Sequence, residues 1–278
     1  MAPRRYLPAP PVPARVRIEL TARCDLQCLH CTGAMHPRSR GDMDYAFFLR
    51  LLEQLRALGV REVALSYLGE PFLCRWLPEA IRHAKEHTGF ESVVLTTNGR
   101  MATPERVREC IEAGLDSLEF SANFAGPEQF HYVTGAREQD FWRLEMNLKA
   151  ARIVRDEVEA RTGQRCAVVA SSLRLDELQA SRMRHALACI RGAVDSHSWK
   201  ALRRLKVPCP ALFAEANVTY DGRLSACPYD HDARFAIGDL TCETFLECWH
   251  DERFQRLREA HLTRDVRSTP CEGCAAYG

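Results

Sequence analysis

A chain of 278 residues, 46% hydrophobic and 27% charged, can bury a sizeable core as one large α/β domain or as a barrel with a small appendage. Its 38 Lys and Arg against 37 Asp and Glu leave a formal charge of +1, which excludes the broad electrostatic footprint of a nucleic-acid or anionic-membrane binder. No stretch approaches the roughly 18–20 apolar residues that cross a bilayer.

Residues 1–14 carry Pro3, Pro8, Pro10, Pro11 and Pro13 and have no apolar h-region, so they read as an extended arm rather than a signal peptide. A cytoplasmic, reducing setting is therefore expected. There, thirteen cysteines, an odd number, argue for metal ligation, catalysis or burial rather than a disulfide framework.

From residue 15 to about 204, short apolar runs alternate with longer amphipathic stretches. Expected strands are Val16–Leu20, Glu62–Tyr67, Ser92–Thr97, Ser117–Ser121, Cys166–Ser172 and Ala193–Ser198. Expected helices are Tyr45–Leu58, Leu77–His87, Pro104–Ala113, Phe141–Ala160 and Asp176–Ile190. Phe48, Leu51, Leu52, Leu55 and Leu58 recur at the helical spacing. Thr103 before Pro104 reads as a helix start, and Gly59 and Gly114 as helix ends. Such alternation implies a parallel sheet with right-handed crossovers, and six strands point to an open, partial barrel. Chemistry then collects beyond the strands' C-terminal ends. The conspicuous residues do follow strands: the Cys24 loop after the first, Gly69-Glu70-Pro71 after the second, Asn98-Gly99 after the third and Asn123 after the fourth.

Residues 205–278 form a smaller, cysteine-rich unit. Two short strands, Val218–Tyr220 and Leu224–Ala226, are expected around Asp221-Gly222, followed by a helix over Glu243–Ala260. A unit this small needs a metal or a larger neighbour.

Cys24, Cys28 and Cys31 give C-x3-C-x2-C directly after a strand. Three thiolates on one loop can hold three irons of a [4Fe–4S] cube and leave the fourth iron open, whereas a closed zinc site wants four ligands. Here the chain resembles the radical S-adenosylmethionine superfamily, whose hallmark is this spacing after the first strand of a partial (β/α)6 TIM barrel. The resemblance implies that S-adenosylmethionine binds the open iron and yields a 5′-deoxyadenosyl radical. Gly69-Glu70-Pro71 is similar to the family's "GGEP" segment, with Leu68 in place of the first glycine, and implies that Glu70 accepts from the methionine amino group. Thr96-Thr97-Asn98-Gly99 is similar to its "TNG" turn, and Ser121 sits where a ribose contact is often found. An external reductant such as flavodoxin or ferredoxin is implied too.

Cys209, Cys227, Cys271 and Cys274 form a second set. Spacing alone leaves zinc and a fully ligated [4Fe–4S] cluster open, since both use four thiolates. The order of hairpin, Ile237-Gly238-Asp239-Leu240, a helix bearing Trp249, and a final C-x2-C resembles the twitch (short SPASM) domain. That resemblance implies an auxiliary [4Fe–4S] cluster, hence two clusters in all. The arrangement is similar to the radical dehydrogenases of aminocyclitols and the radical epimerases of aminoglycosides.

An auxiliary cluster suits two-electron oxidation of a carbinol to a ketone, which needs a base. His197, at the end of the sixth strand, is the first candidate, since histidine is the side-chain type suited to proton transfer near neutral pH; Glu19 and Glu215 are further candidates. The rival reading, epimerisation, needs a thiol hydrogen donor, with Cys248 the first choice and Cys189 the second. A peptide maturase and a zinc-stapled scaffold without catalysis stand behind these. A small sugar-like substrate is expected, with no nucleic-acid and no membrane partner.

Overall fold

The computed structural model describes residues 6–29, 31, 39–124, 126–173, 195–199, 208–228, 230 and 235–274, with the main chain alone at 172, 173 and 195–199. A single sheet of nine strands runs through it in the order β6-β5-β4-β3-β2-β1-β7-β8-β9. The first six are β1 (Arg15–Ile18), β2 (Glu62–Ala64), β3 (Ser92–Thr97), β4 (Ser117–Ser121), β5 (Ala167–Leu173) and β6 (Asp195–Trp199), all parallel to their neighbours. This is the open partial barrel expected. The helix expected over Asp176–Ile190 lies outside the described residues.

Alternation along the strands sorts the two faces of the sheet. Val16, Ile18, Val93, Leu95, Leu118 and Phe120 are buried in the main core, with Phe48, Leu51, Leu52 and Leu55 of α1 (Tyr45–Ala57). The intervening positions, among them Arg17, Thr96, Glu119 and Ser121, are only half-buried and face the barrel interior. Each buried aliphatic or aromatic side chain contributes roughly 1.5–3 kcal/mol through its removal from water, so the outer face, not the lumen, holds the barrel together.

Helix starts follow the punctuation. Asp44 accepts from Phe47 N at 2.7 Å to begin α1, and Thr103 accepts from Arg106 N to begin α3 (Pro104–Glu112). Between them α2 (Leu77–Arg82) runs on as a π-helical turn over His83–His87. Periodicity did not point to α4 (Pro127–Thr134), which Pro127 opens and Gly135 closes. Then α5 (Glu138–Thr162) exceeds the expected Phe141–Ala160 at both ends.

The C-terminal unit continues the same sheet. After α6 (Ala211–Ala214), β7 (Glu215–Val218) pairs in parallel with β1, Arg15 opposite Glu215 and Ile18 opposite Val218. The strands β8 (Arg223–Ser225) and β9 (Ala236–Asp239) then add antiparallel. The expected hairpin therefore shifts: Tyr220 belongs to the turn, and the first strand ends at Val218. The single helix expected over Glu243–Ala260 is two, α7 (Phe245–Trp249) and α8 (Glu252–Thr263), because Asp251 caps the second by accepting from Arg253 N at 2.8 Å.

The proline-rich arm is docked. Its carbonyls accept from the C-terminal unit: Pro10 from Trp249 Nε1 (3.2 Å) and His250 Nε2 (2.9 Å), and Pro8 from Arg258 (3.2 Å). Tyr6 meets Phe213 edge-on at 4.9 Å. The boundary expected at 204/205 lies outside the described residues. No helix among the described residues is long and apolar enough to cross a membrane.

Candidate functional site: two cysteine centres joined by one sheet

The first centre is the loop after β1. Cys24 and Cys28 pack against a satellite apolar cluster of Leu26, Phe124, Phe130, Val133, Phe141 and Leu144. Helix α4 holds the loop by its C-terminal carbonyls, Gln27 N to Thr134 O at 3.0 Å and Leu29 N to Val133 O at 2.8 Å. Burial pushes the Cys24 thiol up to about 11 and Cys28 up to about 12, and the neighbouring thiols push the same way. The three sulfurs thus lie within electrostatic reach of one another. Thiols held protonated in this manner lose their protons to solvent when metal takes their place on sulfur.

The turn after β2 is pressed onto this loop. A Cβ on Gly69 would stand 1.9 Å from Thr21 O and 2.9 Å from Arg23 O, so only glycine fits. Glu70 N donates to Arg23 O at 2.8 Å. The Arg23 guanidinium in turn holds Asp42 (2.8 and 2.9 Å) and Leu73 O (2.8 Å).

Glu70 is buried, and its carboxylate accepts from Phe72 N (3.1 Å), Thr97 Oγ1 (2.8 Å) and Asn98 N (2.7 Å). These bonds weld the second loop to the third. Burial nevertheless raises its carboxyl to about 7. The expected contact to a methionine amino group must therefore share a carboxylate that already takes three donors. Pro71 opens the short 3-10 turn Pro71–Leu73 that Glu70 caps.

Asn98 joins the third loop to the first. Its Nδ2 donates to Asp25 Oδ1 at 2.8 Å and lies 3.9 Å from Cys24 Sγ. Arg100 adds bonds to Asp25 (3.1 and 3.2 Å), a residue the sequence did not single out. Ser121 Oγ accepts from Asn123 at 2.8 Å, and Ser171 donates to Glu119. In the lumen Arg17 pairs with Glu215 at 3.2 Å, while Glu19 is wholly buried and accepts from Tyr220 N at 3.1 Å. The His197 main chain pairs with Ser171, whose other neighbour is Ser121; the His197 side chain lies outside the described residues.

The second centre is a cavity of about 320 Å3. Cys209, Cys227, Cys271 and Cys274 line it together with apolar Leu212, Ala226 and Leu257. Burial, with the charges of Cys227, Cys209 and Cys274, pushes Cys271 up to about 12. Burial raises Cys209 as well. Among the described residues no three His, Cys, Asp or Glu side chains converge on a single metal ion. The four cysteines surround one cavity, as residues that hold a metal centre would. Two residues that carried no sequence signal complete this centre. His261, fully buried, lines the cavity and accepts from Cys209 N at 3.3 Å. Tyr67 donates to the carbonyls of Cys227 (2.8 Å) and Asp230 (3.2 Å), and burial holds its phenol far above the usual range.

Cys248 does not serve as expected. It is fully buried between α7 and β9, so close to Gly238 that a Cβ there would meet its sulfur at 2.2 Å. Such a thiol is core packing and is closed to any substrate. Cys74, Cys110 and Cys166 are buried in the same core, Cys242 is exposed, and Cys189 lies outside the described residues.

Comparison with known proteins agrees with this geometry. The model of the radical SAM superfamily matches residues 18–163, and that of an iron–sulfur cluster-binding domain, SPASM, matches 209–275. A GTP 3′,8-cyclase of Chlorobaculum tepidum is 33% identical over 119 residues, 43% of this chain and 36% of that protein. A PqqA peptide cyclase of Streptomyces rochei is 32% identical over 148 residues, 53% of this chain and 38% of that protein. The matches thus span well under half the length of these relatives. Among solved structures, BtrN in complex with AdoMet and 2-DOIA superposes with a TM-score of 0.62 at 19% identity, covering 90% of this chain and 87% of that one. Native anSMEcpe with bound AdoMet gives 0.69 at 10% identity, covering 94% and 88%. At such identities the likeness is one of fold.

Proposed function

The chain belongs to the radical SAM superfamily and carries its SPASM module after the barrel, and we propose that it oxidises a secondary alcohol of a small sugar-like substrate, an aminocyclitol or aminoglycoside intermediate, to the ketone. The observation that carries this reading is the four-thiol cavity, built on the same sheet as the first cysteine loop and tied by Tyr67 to the turn beside it. When loaded, the first [4Fe–4S] cluster and S-adenosylmethionine would supply the 5′-deoxyadenosyl radical that removes a carbinol hydrogen, and a second [4Fe–4S] cluster would take up the electron left on that carbon.

The chain's own residues divide the remaining work. Cys24, Cys28 and Cys31 hold the first cluster, against a dry wall that excludes water from it. Gly69, Glu70, Pro71, Asn98 and Ser121 form the S-adenosylmethionine site, with Gly69 setting how near the second loop comes to the first. Cys209, Cys227, Cys271 and Cys274 hold the second cluster. The lumen, with Arg17 paired to Glu215 and Glu119 bonded by Ser171, offers alternating donors and acceptors that suit a polyhydroxylated molecule. His197, in register with Ser171 and Ser121, takes the hydroxyl proton. An external flavodoxin or ferredoxin supplies the first electron.

Two further observations favour oxidation over epimerisation. The thiol placed beside Trp249 for hydrogen donation is sealed in the core, and a four-cysteine acceptor site is complete. BtrN, of the same fold, is seen with AdoMet and 2-DOIA, which supports a substrate of modest size. The matches to the cyclases span well under half the length of those proteins, so their substrates do not transfer.

The test is incubation of anaerobically reconstituted protein with candidate aminoglycoside intermediates in deuterium oxide, followed by mass analysis. Oxidation predicts a product lighter by two hydrogens and one 5′-deoxyadenosine per turnover. A product of unchanged skeleton carrying one solvent deuterium on carbon would replace this reading with epimerisation.

A further inference from the structure

Large apolar side chains that reach the surface ordinarily lie scattered, and a group of them marks a contact. Among the described residues eight are exposed, and four of these belong to elements bound to one another: Leu29 of the first cysteine loop, Tyr132 of α4, and Trp142 and Met146 of α5. Leu29 N donates to the carbonyl of Val133, the residue after Tyr132, at 2.8 Å. Trp142 and Met146 stand one turn apart near the start of α5. Tyr132 is 75% exposed and Met146 63%.

Behind this patch, packed rings lead inward to the cysteines. The Trp142 ring meets Phe141 edge-on at 5.1 Å, Phe141 meets Phe130 at 6.1 Å, and Phe130 meets Phe124 at 5.0 Å. Cys24 and Cys28 pack on that same apolar cluster. The rim is basic. Arg137 and Arg143 are mostly exposed, while the Asp140 carboxylate that both of them share is buried (3.4 and 3.6 Å). Over residues 137–149 the outward charges are Arg137, Arg143 and Lys149 against Glu138 and Glu145, a modest positive surplus.

We propose that this patch docks an acidic one-electron carrier protein, which passes its electron inward past Phe141 and Phe130 to the first cluster. The inference rests on the reading that Cys24, Cys28 and Cys31 hold a [4Fe–4S] cluster, and it names where the reductant of that site is received. In the step the carrier is oxidised by one electron and the cluster is reduced by one. Electron transfer weakens steeply with distance, so a donor must bind where the ligand loop comes to the surface. Leu29, half-exposed between Cys28 and Cys31, marks that place. Tyr, Trp, Met and Arg, the residue types gathered here, are those enriched at interface centres, and electron-transfer encounters need only a small contact. A second copy of this chain, seated symmetrically, would set the basic rim against one of the same sign, whereas an acidic carrier complements it.

Binding is titrated by flavin fluorescence, with an oxidised acidic flavodoxin as the probe and the reconstituted full chain as its partner. Trp142→Glu and Met146→Glu are expected to weaken binding by about tenfold or more, as loss of an interface anchor does. Arg143→Glu should weaken it at low ionic strength and much less at high, because a rim charge acts on the encounter. Leu246→Glu, on α7 and also exposed, should bind as the parent does.

In parallel, 5′-deoxyadenosine formation is driven either by flavodoxin hydroquinone or by dithionite, a small reductant that needs no docking surface. Only the flavodoxin-driven rate should fall in the patch variants. Flavodoxin binding that is absent from the parent, or equal in the parent and both apolar variants, overturns the inference. So does an equal fall of both rates in all the patch variants, or a dimeric parent that Met146→Glu turns into a monomer. A parent that forms no 5′-deoxyadenosine even with dithionite overturns the cluster reading instead, and the dithionite arm alone tells that case apart.

Discussion

The phenol of Tyr67 donates at 2.8 Å to the carbonyl of Cys227, a residue 160 positions further along the chain. Tyr67 stands two residues before Gly69, the glycine that seats the second loop on the first cysteine loop. One hydrogen bond thus spans from the strand end beside the Gly69 turn to a cysteine of the four-thiol cavity. Around Cys227 the network closes further, with Ser225 Oγ to Asp230 Oδ2 at 2.6 Å and Asp230 N to Cys227 O at 3.1 Å. Two centres assembled from opposite ends of the chain are held at a set separation.

Tyr67→Phe keeps the ring and removes the donor. It is expected to cost about 1–2 kcal/mol, the usual loss when buried carbonyls lose a partner, and to leave both cysteine sets intact. Chemical denaturation of the reconstituted protein reads the first effect. Iron content should stay near the wild-type value, while single-turnover reduction of the auxiliary cluster slows.

Gly69→Ala places a methyl group 1.9 Å from Thr21 O. Backbone on both sides must then part, so the second loop is driven off the first. The expected result is loss of S-adenosylmethionine cleavage and of about four of about eight irons. Retention of the auxiliary cluster's signal would show the damage to be local.

Glu70 makes stability depend on pH. Burial lifts its carboxyl from 4.5 to about 7, so between these values the folded chain binds a proton that the unfolded chain has released. Stability therefore falls as pH rises from 4.5 to about 7, by roughly 1.4 kcal/mol per unit, and this contribution is flat beyond. Glu70→Gln removes the titrating group and should abolish the slope, although Asn98 N loses a charged acceptor. Denaturant midpoints of the two proteins at pH 5 and pH 8 check the difference.

Much of this site was legible in the sequence because its parts are local. C-x3-C-x2-C occupies a single loop, and β1 to β4 and their helices announce themselves by periods of two and of about 3.6. The joins were not legible. The pairing of β1 with β7, Arg17 beside Glu215 across 198 residues, leaves no local pattern in either strand. His261 lay one residue beyond the expected helix and was not singled out, and Tyr67 read as the last residue of a strand. Each acquires its role from a partner far off in the chain. Cys248 was chosen as a donor for its place in the module beside Trp249, while Gly238, ten residues before it, makes the space that buries it.

Cys248→Ala should accordingly retain both clusters and full activity. The cost is a small cavity against Gly238, about 1 kcal/mol, visible as a lower melting temperature. If substrate turnover instead switched from one product to another in this variant, the core assignment would be wrong.

Arg258 sets the strength of the joint between arm and module. It is fully buried, its guanidinium lying 4.2 Å from the Trp249 ring centroid and 3.5 Å from that of Phe254. It donates to Leu212 O (2.9 Å), Trp249 O (2.8 Å) and Pro8 O (3.2 Å), so α6, α7 and the proline-rich arm meet on one side chain. Lysine has no planar fork and cannot reach three carbonyls while lying flat on two rings. Arg258→Lys is therefore expected to cost about as much as Arg258→Ala, on the order of 3 kcal/mol, because both leave buried carbonyls unpaired. The loosened arm should become cleavable near Pro8–Pro13 at protease levels the wild type resists. The Cys209 loop, anchored next to Leu212, should lose its iron before the first cysteine loop does. An Arg258→Lys protein with wild-type protection would mean that charge and stacking alone, without the carbonyl bonds, hold the arm in place.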